Sequence, residues 1–197
     1  MAPLAYNDVG AEYAFYVVLG MFGASEWNIR FRSRMNRGGT RHDRGSLYVV
    51  IFTAVLGVGA AFALAQTAQC AGISVARWPL FIIGLAITIL GMVLRRWAVV
   101  TLGQFFTVQV QVRRGQTVVD TGPFRWVRQP SYTAIIISFV GIGVALENWL
   151  SLLVLIVVPT IGLVIRIRVE EKALLEALGE PYRQFSLSRA RLIPKVW

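Results

Sequence analysis

The sequence is poor in the residues that build redox, metal and acid–base centres. Among 197 residues there is one cysteine, Cys70, and one histidine, His42. That excludes an intrachain disulfide and leaves no His, Cys and carboxylate cluster at ligand spacing, so no metal site is expected. Cys70 lies in a run of small residues and reads as a packed or exposed thiol. His42, inside Arg41-His42-Asp43-Arg44, reads as a solvated loop residue rather than a base or ligand. Charge is scarce too, at 15% of residues, and lopsided: ten acidic against twenty basic, a net +10. With 56% apolar residues and a mean hydropathy of +0.60, an ordinary soluble domain is excluded. Met1 to Gly10 lacks the basic n-region and cleavage site of a secretory signal, so the first apolar run is expected to stay in the protein.

What is present is a series of apolar runs, read as an all-α integral membrane protein with five transmembrane helices in one unit, 1–197. Segment one, Val9 to Ile29, is the weakest, because Glu12 and Glu26 bracket a short apolar centre; it lacks the polar face of a helix lying flat, so spanning is the better reading. Segment two, Leu47 to Ala65, carries Gly57, Gly59, Ala60, Ala61 and Ala63 for close helix packing. Its Gly57-Val58-Gly59 lies inside a membrane run with no preceding strand, which rules out a dinucleotide loop. A polar link, Gln66 to Arg77, leads to segment three, Trp78 to Leu94, stopped by Arg95-Arg96. Segments four, Tyr132 to Leu146, and five, Trp149 to Ile165, are separated only by Glu147-Asn148 and should form a tight helical hairpin. Beyond Arg166 the same helix turns polar and runs to a stop at Gly179.

Between segments three and four lies the main water-facing stretch. Phe106 to Val112 alternates with period two, Arg113 to Gln116 supplies a turn, and Thr117 to Val119 is a candidate return strand, so a small extended or hairpin-like region is expected against the helices. Nineteen of the twenty basic residues fall in the first loop, between Arg95 and Arg128, or from Arg166 onward; Arg77 alone falls on the other face. Five spans then place the N-terminus outside and the C-terminus in the cytoplasm. The six arginines between Arg30 and Arg44 mark a loop facing anionic lipid, not a nucleic-acid site.

The chain is organised around Thr121-Gly122-Pro123-Phe124-Arg125-Trp126-Val127-Arg128-Gln129-Pro130-Ser131-Tyr132, a turn-rich cationic platform at the water edge of the bilayer. Pro130 suits the first turn of the helix that follows. Arg166 and Glu170, four apart, share one face of segment five where it leaves the apolar zone. Segments four and five being antiparallel, this face and the platform should meet and enclose a pocket open to water and to lipid.

The ordered motifs Gly-Pro-Phe-Arg-Trp-Val-Arg-Gln-Pro-Ser-Tyr, a helical hairpin, Arg-x-x-x-Glu-Glu, Leu178-Gly179-Glu180-Pro181-Tyr182 and Ile193-Pro194 resemble the isoprenylcysteine carboxyl methyltransferase family and its phospholipid-methyltransferase relatives. The likeness covers Leu102 to Pro194, making 102–197 the methyltransferase-like region and 1–101 three N-terminal spans. It implies an integral membrane enzyme that moves a methyl group from S-adenosyl-L-methionine to a lipophilic acceptor reached from the bilayer, such as the carboxylate of a prenylated cysteine. Carried over, the methyl-donor contacts are Gln111, Gln116, Thr117, Val118, Val119, Phe124, Gln129, Pro130, Ser131, Tyr132 and Glu170. Arg166 matches the residue that recognises the substrate carboxylate. The family usually has His where this chain has Gln129, which cannot titrate, and commonly Tyr where it has Phe124. Other functions compatible with the residues are N-methylation of an amine headgroup, a non-catalytic donor- or lipid-binding protein, and a nicotinamide-dependent membrane reductase.

Overall fold

The computed structural model describes residues 3–35, 40–41, 45–108, 111–112 and 117–194. A short turn of helix, α1 (Leu4–Asn7), precedes α2 (Val9–Met35); then follow β1 (Thr40–Arg41), α3 (Ser46–Thr67), α4 (Arg77–Leu102), β2 (Gln111–Val112), α5 (Pro130–Ala145), α6 (Trp149–Leu178) and α7 (Glu180–Ser188). Among the described residues three helical stretches, Ser46–Thr67, Arg77–Phe105 and Trp149–Leu178, are long and apolar enough to cross a membrane. At about 1.5 Å per residue, the 16 residues of α5 rise only about 24 Å, short of a hydrocarbon core of about 30 Å. Large apolar side chains such as Phe52, Val55, Ile82, Leu90, Val93, Leu153 and Ile161 are exposed around the outside, as lipid-facing residues are.

Helices outlast the apolar segments that announce them. Arg95-Arg96 does not stop α4, which continues to Leu102, and α2 continues six residues past Ile29. Arginine is a good helix former, so a charge ends the apolar zone without ending the helix. At α5 the entry is as expected: Pro130 occupies the first turn, where its missing N–H costs nothing. Glu147, at φ 48°, turns the chain, and the Asn148 side chain caps α6 by accepting from the Ser151 N–H at 3.0 Å.

Two close helix pairs form the core, α4 on α5 and α3 on α6. A Cβ on Gly84 would lie 2.8 Å from Ala145 Cα, one on Gly91 2.8 Å from the Ala134 carbonyl oxygen, and one on Gly141 2.6 Å from the Gly84 carbonyl oxygen. The α4 and α5 backbones therefore touch through small residues, which is how helices associate where lipid is as apolar as the side chains. Of the small residues on α3, Gly57 and Ala61 are buried, Gly57 receiving the ring of Pro159 from α6, whereas Gly59 faces open space.

Helices α2 to α6 run alternately up and down, so loops gather at two ends. At one end Glu147 is buried and takes Arg77 Nε at 3.0 Å and the Leu4 N–H at 3.3 Å, while Asn148 Nδ2 donates to the Ala68 carbonyl at 2.9 Å. At the other end Thr40–Arg41 pairs antiparallel with Gln111–Val112. This corrects the expected hairpin: β2 takes its partner from the first basic loop, and Thr117 to Val119 form no strand. The turn Arg113 to Gln116, like His42, lies outside the described residues. Both loops leave the bundle at the same end, so a distant strand is as near as a neighbouring one.

Gly141→Val should destabilise the protein by about 3 kcal/mol, the upper range for overpacking a tight contact. Gly59→Ala should change nothing. Thermal unfolding of the purified variants in detergent checks this; equal losses for both would mean that α4 and α5 are not in backbone contact.

Candidate functional site

At the end of the bundle where α2, α4 and α6 finish and α3 and α5 begin, a cavity of about 140 Å³ opens. Phe124, Gln129, Ser131 and Tyr132 line it from the platform and the first turn of α5; Arg166 and Glu170 line it from α6; Thr117, Val118 and Val119 complete the wall. Platform and polar helix end thus meet, as the antiparallel hairpin requires. Pro130 is buried and sets the start of α5 without lining the cavity. Gln116 and the side chain of Gln111 lie outside the described residues. Trp126 is 58% exposed and packs edge-on against Trp97 at 5.7 Å, an interfacial aromatic pair rather than part of the cavity.

Arg166 sits at the centre, 2% exposed. Its Nε donates to the Tyr132 hydroxyl at 3.3 Å, one terminal nitrogen donates to Ser46 Oγ at 2.8 Å, and the other donates to the Val108 carbonyl. The Tyr132 hydroxyl in turn donates to Glu170 Oε2 at 2.7 Å, so it stands between the arginine and the glutamate. Val108 N–H donates to Ser33 Oγ at 2.6 Å. One guanidinium therefore ties α3, the 103–108 loop, α5 and α6 together. Both terminal nitrogens of the Arg166 fork thus have partners in this structure, Ser46 and Val108.

A second buried arginine does the same for α2. Arg95 engages both carboxylate oxygens of Glu26, one through Nε and one through a terminal nitrogen at 2.9 Å, while its other terminal nitrogen donates to Ser131 Oγ at 2.6 Å. Such forked, charge-assisted contacts fix direction as well as distance. Sequence reasoning assigned Arg95 to the end of a span and Glu26 to the edge of one; an ionisable residue within apolar sequence was the available signal.

The platform is strapped from below. Arg128 N–H donates to the Ala190 carbonyl at 2.8 Å and Gln129 N–H to the Arg191 carbonyl at 3.0 Å. Glu171 holds Arg128 at 3.3 Å and Arg191 at 2.9 Å. Tyr182, on α7, reaches the cavity wall as well; burial, and then the Glu171 and Glu170 carboxylates, push its phenol above its ordinary value, so it stays neutral at physiological pH. Stability tied to that neutral phenol is intact below about pH 10 and is lost as pH climbs further. The side-chain amide of Gln129, in contrast, lines the cavity without a hydrogen-bond partner among the described residues. Among those residues no group of three or more His, Cys, Asp and Glu could hold a metal ion.

An apolar groove of about 280 Å³ adjoins the cavity, walled by Phe22, Trp27, Ala54, Phe139, Pro159 and Leu163. Glu26, Arg30, Val50 and Ile135 line both. A chamber lined by polar, aromatic and aliphatic side chains, with two carboxylates, Glu26 and Glu170, and an apolar side channel can hold a polar cofactor against the head of a long apolar molecule.

Residues 82–176 fit the model of the Isoprenylcysteine carboxyl methyltransferase (ICMT) family. A solved structure of the eukaryotic intramembrane Ras methyltransferase ICMT superposes with a TM-score of 0.61 at 28% sequence identity, over 74% of this chain and 52% of that one. The chain thus matches about half the length of that solved relative. Comparison with curated protein sequences gives no match.

Glu171→Ala should release the strap. Arg191 loses its carboxylate partner, and limited trypsin digestion is expected to cut after Arg191 several-fold faster than in the parent protein, measured by mass spectrometry of the released C-terminal peptide. An unchanged cleavage rate would mean that the backbone pairing at residues 190–192 suffices without the ion pairs.

Proposed function

We propose, from the premise that residues 82–176 carry the isoprenylcysteine carboxyl methyltransferase pattern, that this chain is an S-adenosylmethionine-dependent membrane methyltransferase acting on the carboxylate of a lipophilic acceptor. A prenylated cysteine or a comparable isoprenoid acid is the acceptor class. The observation that carries the reading is the convergence of Gln129, Ser131, Tyr132, Arg166 and Glu170 on one cavity that adjoins an apolar groove between helices.

The residues fit the donor. When bound, S-adenosylmethionine supplies an electrophilic methyl on a sulfonium. Glu170 is placed to accept hydrogen bonds from ribose hydroxyls or an ammonium, and its orientation is held by the Tyr132 hydroxyl. Phe124, Tyr182 and Phe185 offer ring faces to an adenine or a cation. The Gln129 amide lines the cavity with no hydrogen-bond partner among the described residues, and Thr117, Val118 and Val119 give backbone and apolar contact. Gln111 and Gln116 remain donor contacts by family resemblance, and Pro130 positions its neighbours.

The chain needs no general base. A carboxylate is already ionised near neutral pH, so what the site must supply is in-line placement and exclusion of water. Glutamine at position 129 suits that chemistry, since it orients without titrating. Arg166 acts as a positioning residue: it fixes Tyr132, hence Glu170, and closes the 103–108 loop by holding Val108. Its positive charge also favours an anionic acceptor nearby. The excess of positive charge at the cavity end supports a cytoplasmic site in the proposed topology of five crossing helices with the N-terminus outside.

Glu170→Ala should weaken S-adenosylmethionine binding roughly 10- to 100-fold, the range for losing hydrogen bonds to a charged group. Isothermal titration of the purified protein reads this, and unchanged affinity would remove Glu170 from the donor site. Incubation with methyl-labelled donor in native lipid extract should place the label in base-labile esters; label in base-stable amines would instead establish the phospholipid-type N-methyltransferase.

A further inference from the structure

Among the described residues, two polar ties join α2 to the chamber, and both leave from one stripe of that helix. Phe22, Glu26 and Ser33 are separated by four and seven residues, spacings that repeat along a single helix face. Phe22 walls the apolar groove and packs edge-on against Phe139 of α5, with ring centroids 6.0 Å apart. Glu26, one turn on, lines groove and chamber alike and gives both carboxylate oxygens to Arg95 of α4. Arg95 passes the contact on: its other terminal nitrogen donates to Ser131 at Oγ, 2.6 Å, and at the carbonyl, 3.2 Å, in the first turn of α5. Buried Ser33 receives the Val108 N–H, and the Val108 carbonyl receives Arg166, which fixes Tyr132 and through it Glu170. The helix face that walls the groove is therefore the face that orders the first turn of α5. Apolar side chains would hold α2 to α4 about as firmly, since taking two charges out of water offsets most of their attraction. What the forked ion pair adds is direction.

Resting on the methyltransferase reading, we infer that Glu26 and Arg95 are positioning residues that make the donor chamber depend on how α2 is seated, so that an isoprenoid chain in the groove and S-adenosylmethionine tighten each other's binding. The groove is continuous with the chamber through Glu26, Val50 and Ile135, and a chain lying in it packs α2 against α3, α5 and α6. Phe22 and Glu26 are then held in place, and Glu26 keeps Arg95 on Ser131, between Gln129 and Tyr132 in the wall of the donor chamber. By linkage, a donor that binds the ordered first turn of α5 strengthens binding in the groove by the same factor.

The test reads donor affinity in the full-length protein in lipid nanodiscs. S-adenosylhomocysteine, which has no methyl group to transfer, is titrated calorimetrically with and without saturating farnesol, an uncharged isoprenoid. The parent protein should bind the nucleoside roughly 5- to 20-fold more tightly with farnesol present, within the usual range for coupled sites. Glu26→Gln should bring that ratio to about one, and Glu26→Asp, which keeps the charge on a shorter stem, should restore part of it. Glu147→Gln breaks the buried ion pair at the other end of the bundle and should keep the full ratio, although both glutamine variants lose thermal stability. A merely structural role for Glu26 would make the two behave alike. A ratio near one in the parent, or a ratio that survives Glu26→Gln, overturns the coupling and leaves the methyltransferase reading in place. Should Glu26→Gln fail to fold, an undiminished ratio in Glu26→Asp overturns it equally. A ratio that depends on Glu26, with no labelled methyl reaching any acceptor, leaves the inference standing and removes the methyltransferase reading.

Discussion

A guanidinium placed among apolar helices must find its hydrogen-bond partners inside the protein, since burying it unpaired costs several kcal/mol. Arg166 satisfies that demand by collecting Ser46 from α3, Val108 from the loop after α4 and Tyr132 from α5 around a point on α6. Arg95 collects Glu26 from α2 and Ser131 from α5 around a point on α4. Tyr132 and Ser131 are adjacent in sequence, so the two assemblies share the first turn of α5. The walls contributed by α2, α3, α5, α6 and the 103–108 loop are tied to one or the other, so much of the cavity's shape follows from how two buried guanidinium groups are hydrogen-bonded.

The two ends of the bundle are finished differently for a physical reason. Opposite the cavity, the single arginine that breaks the charge pattern, Arg77, is closed off by buried Glu147, and Asn148 stitches the α5–α6 turn to the end of α3. Backbone contact between α4 and α5 then runs from this end, at Gly84 and Ala145, down to Gly91 and Ala134 near the cavity. The rigid pair delivers Arg95 and Ser131 to each other. Helix α2 is attached through Glu26 and Ser33 and through the ring contacts of Phe15 with Phe62 and Phe22 with Phe139, and it is on this side that the apolar groove opens.

How much of this the sequence disclosed depends on the range of the interaction. Gln129 to Tyr132, Arg166 and Glu170 were legible because an ordered set of local motifs flanks a hairpin whose turn is only two residues, which leaves little freedom in how the halves face each other. Glu26 and Arg95 were not legible as a pair, since 69 residues separate them and each alone resembles an ordinary boundary charge. The fork of Arg166 was legible as a guanidinium at the right place, but not as one already engaged, because Ser46 lies 120 residues away. The same limit explains the strand: the alternation at 106–112 announced extended chain, while its partner at Thr40–Arg41 came from another loop.

Composition and periodicity by themselves determined the membrane character, the all-helical class, the order of the apolar segments, the Pro130 entry to α5 and the gathering of positive charge at one end. These follow from free energies that are sums over single residues, such as transfer from water and backbone preference, and a linear text records them. Tertiary structure decided which arginines tie helices together, which strand pairs with which, how far each helix continues past its apolar zone, and where the chamber meets the groove. Those outcomes depend on pairwise satisfaction of buried polar groups between distant elements, and pairwise terms have no value until the chain has folded.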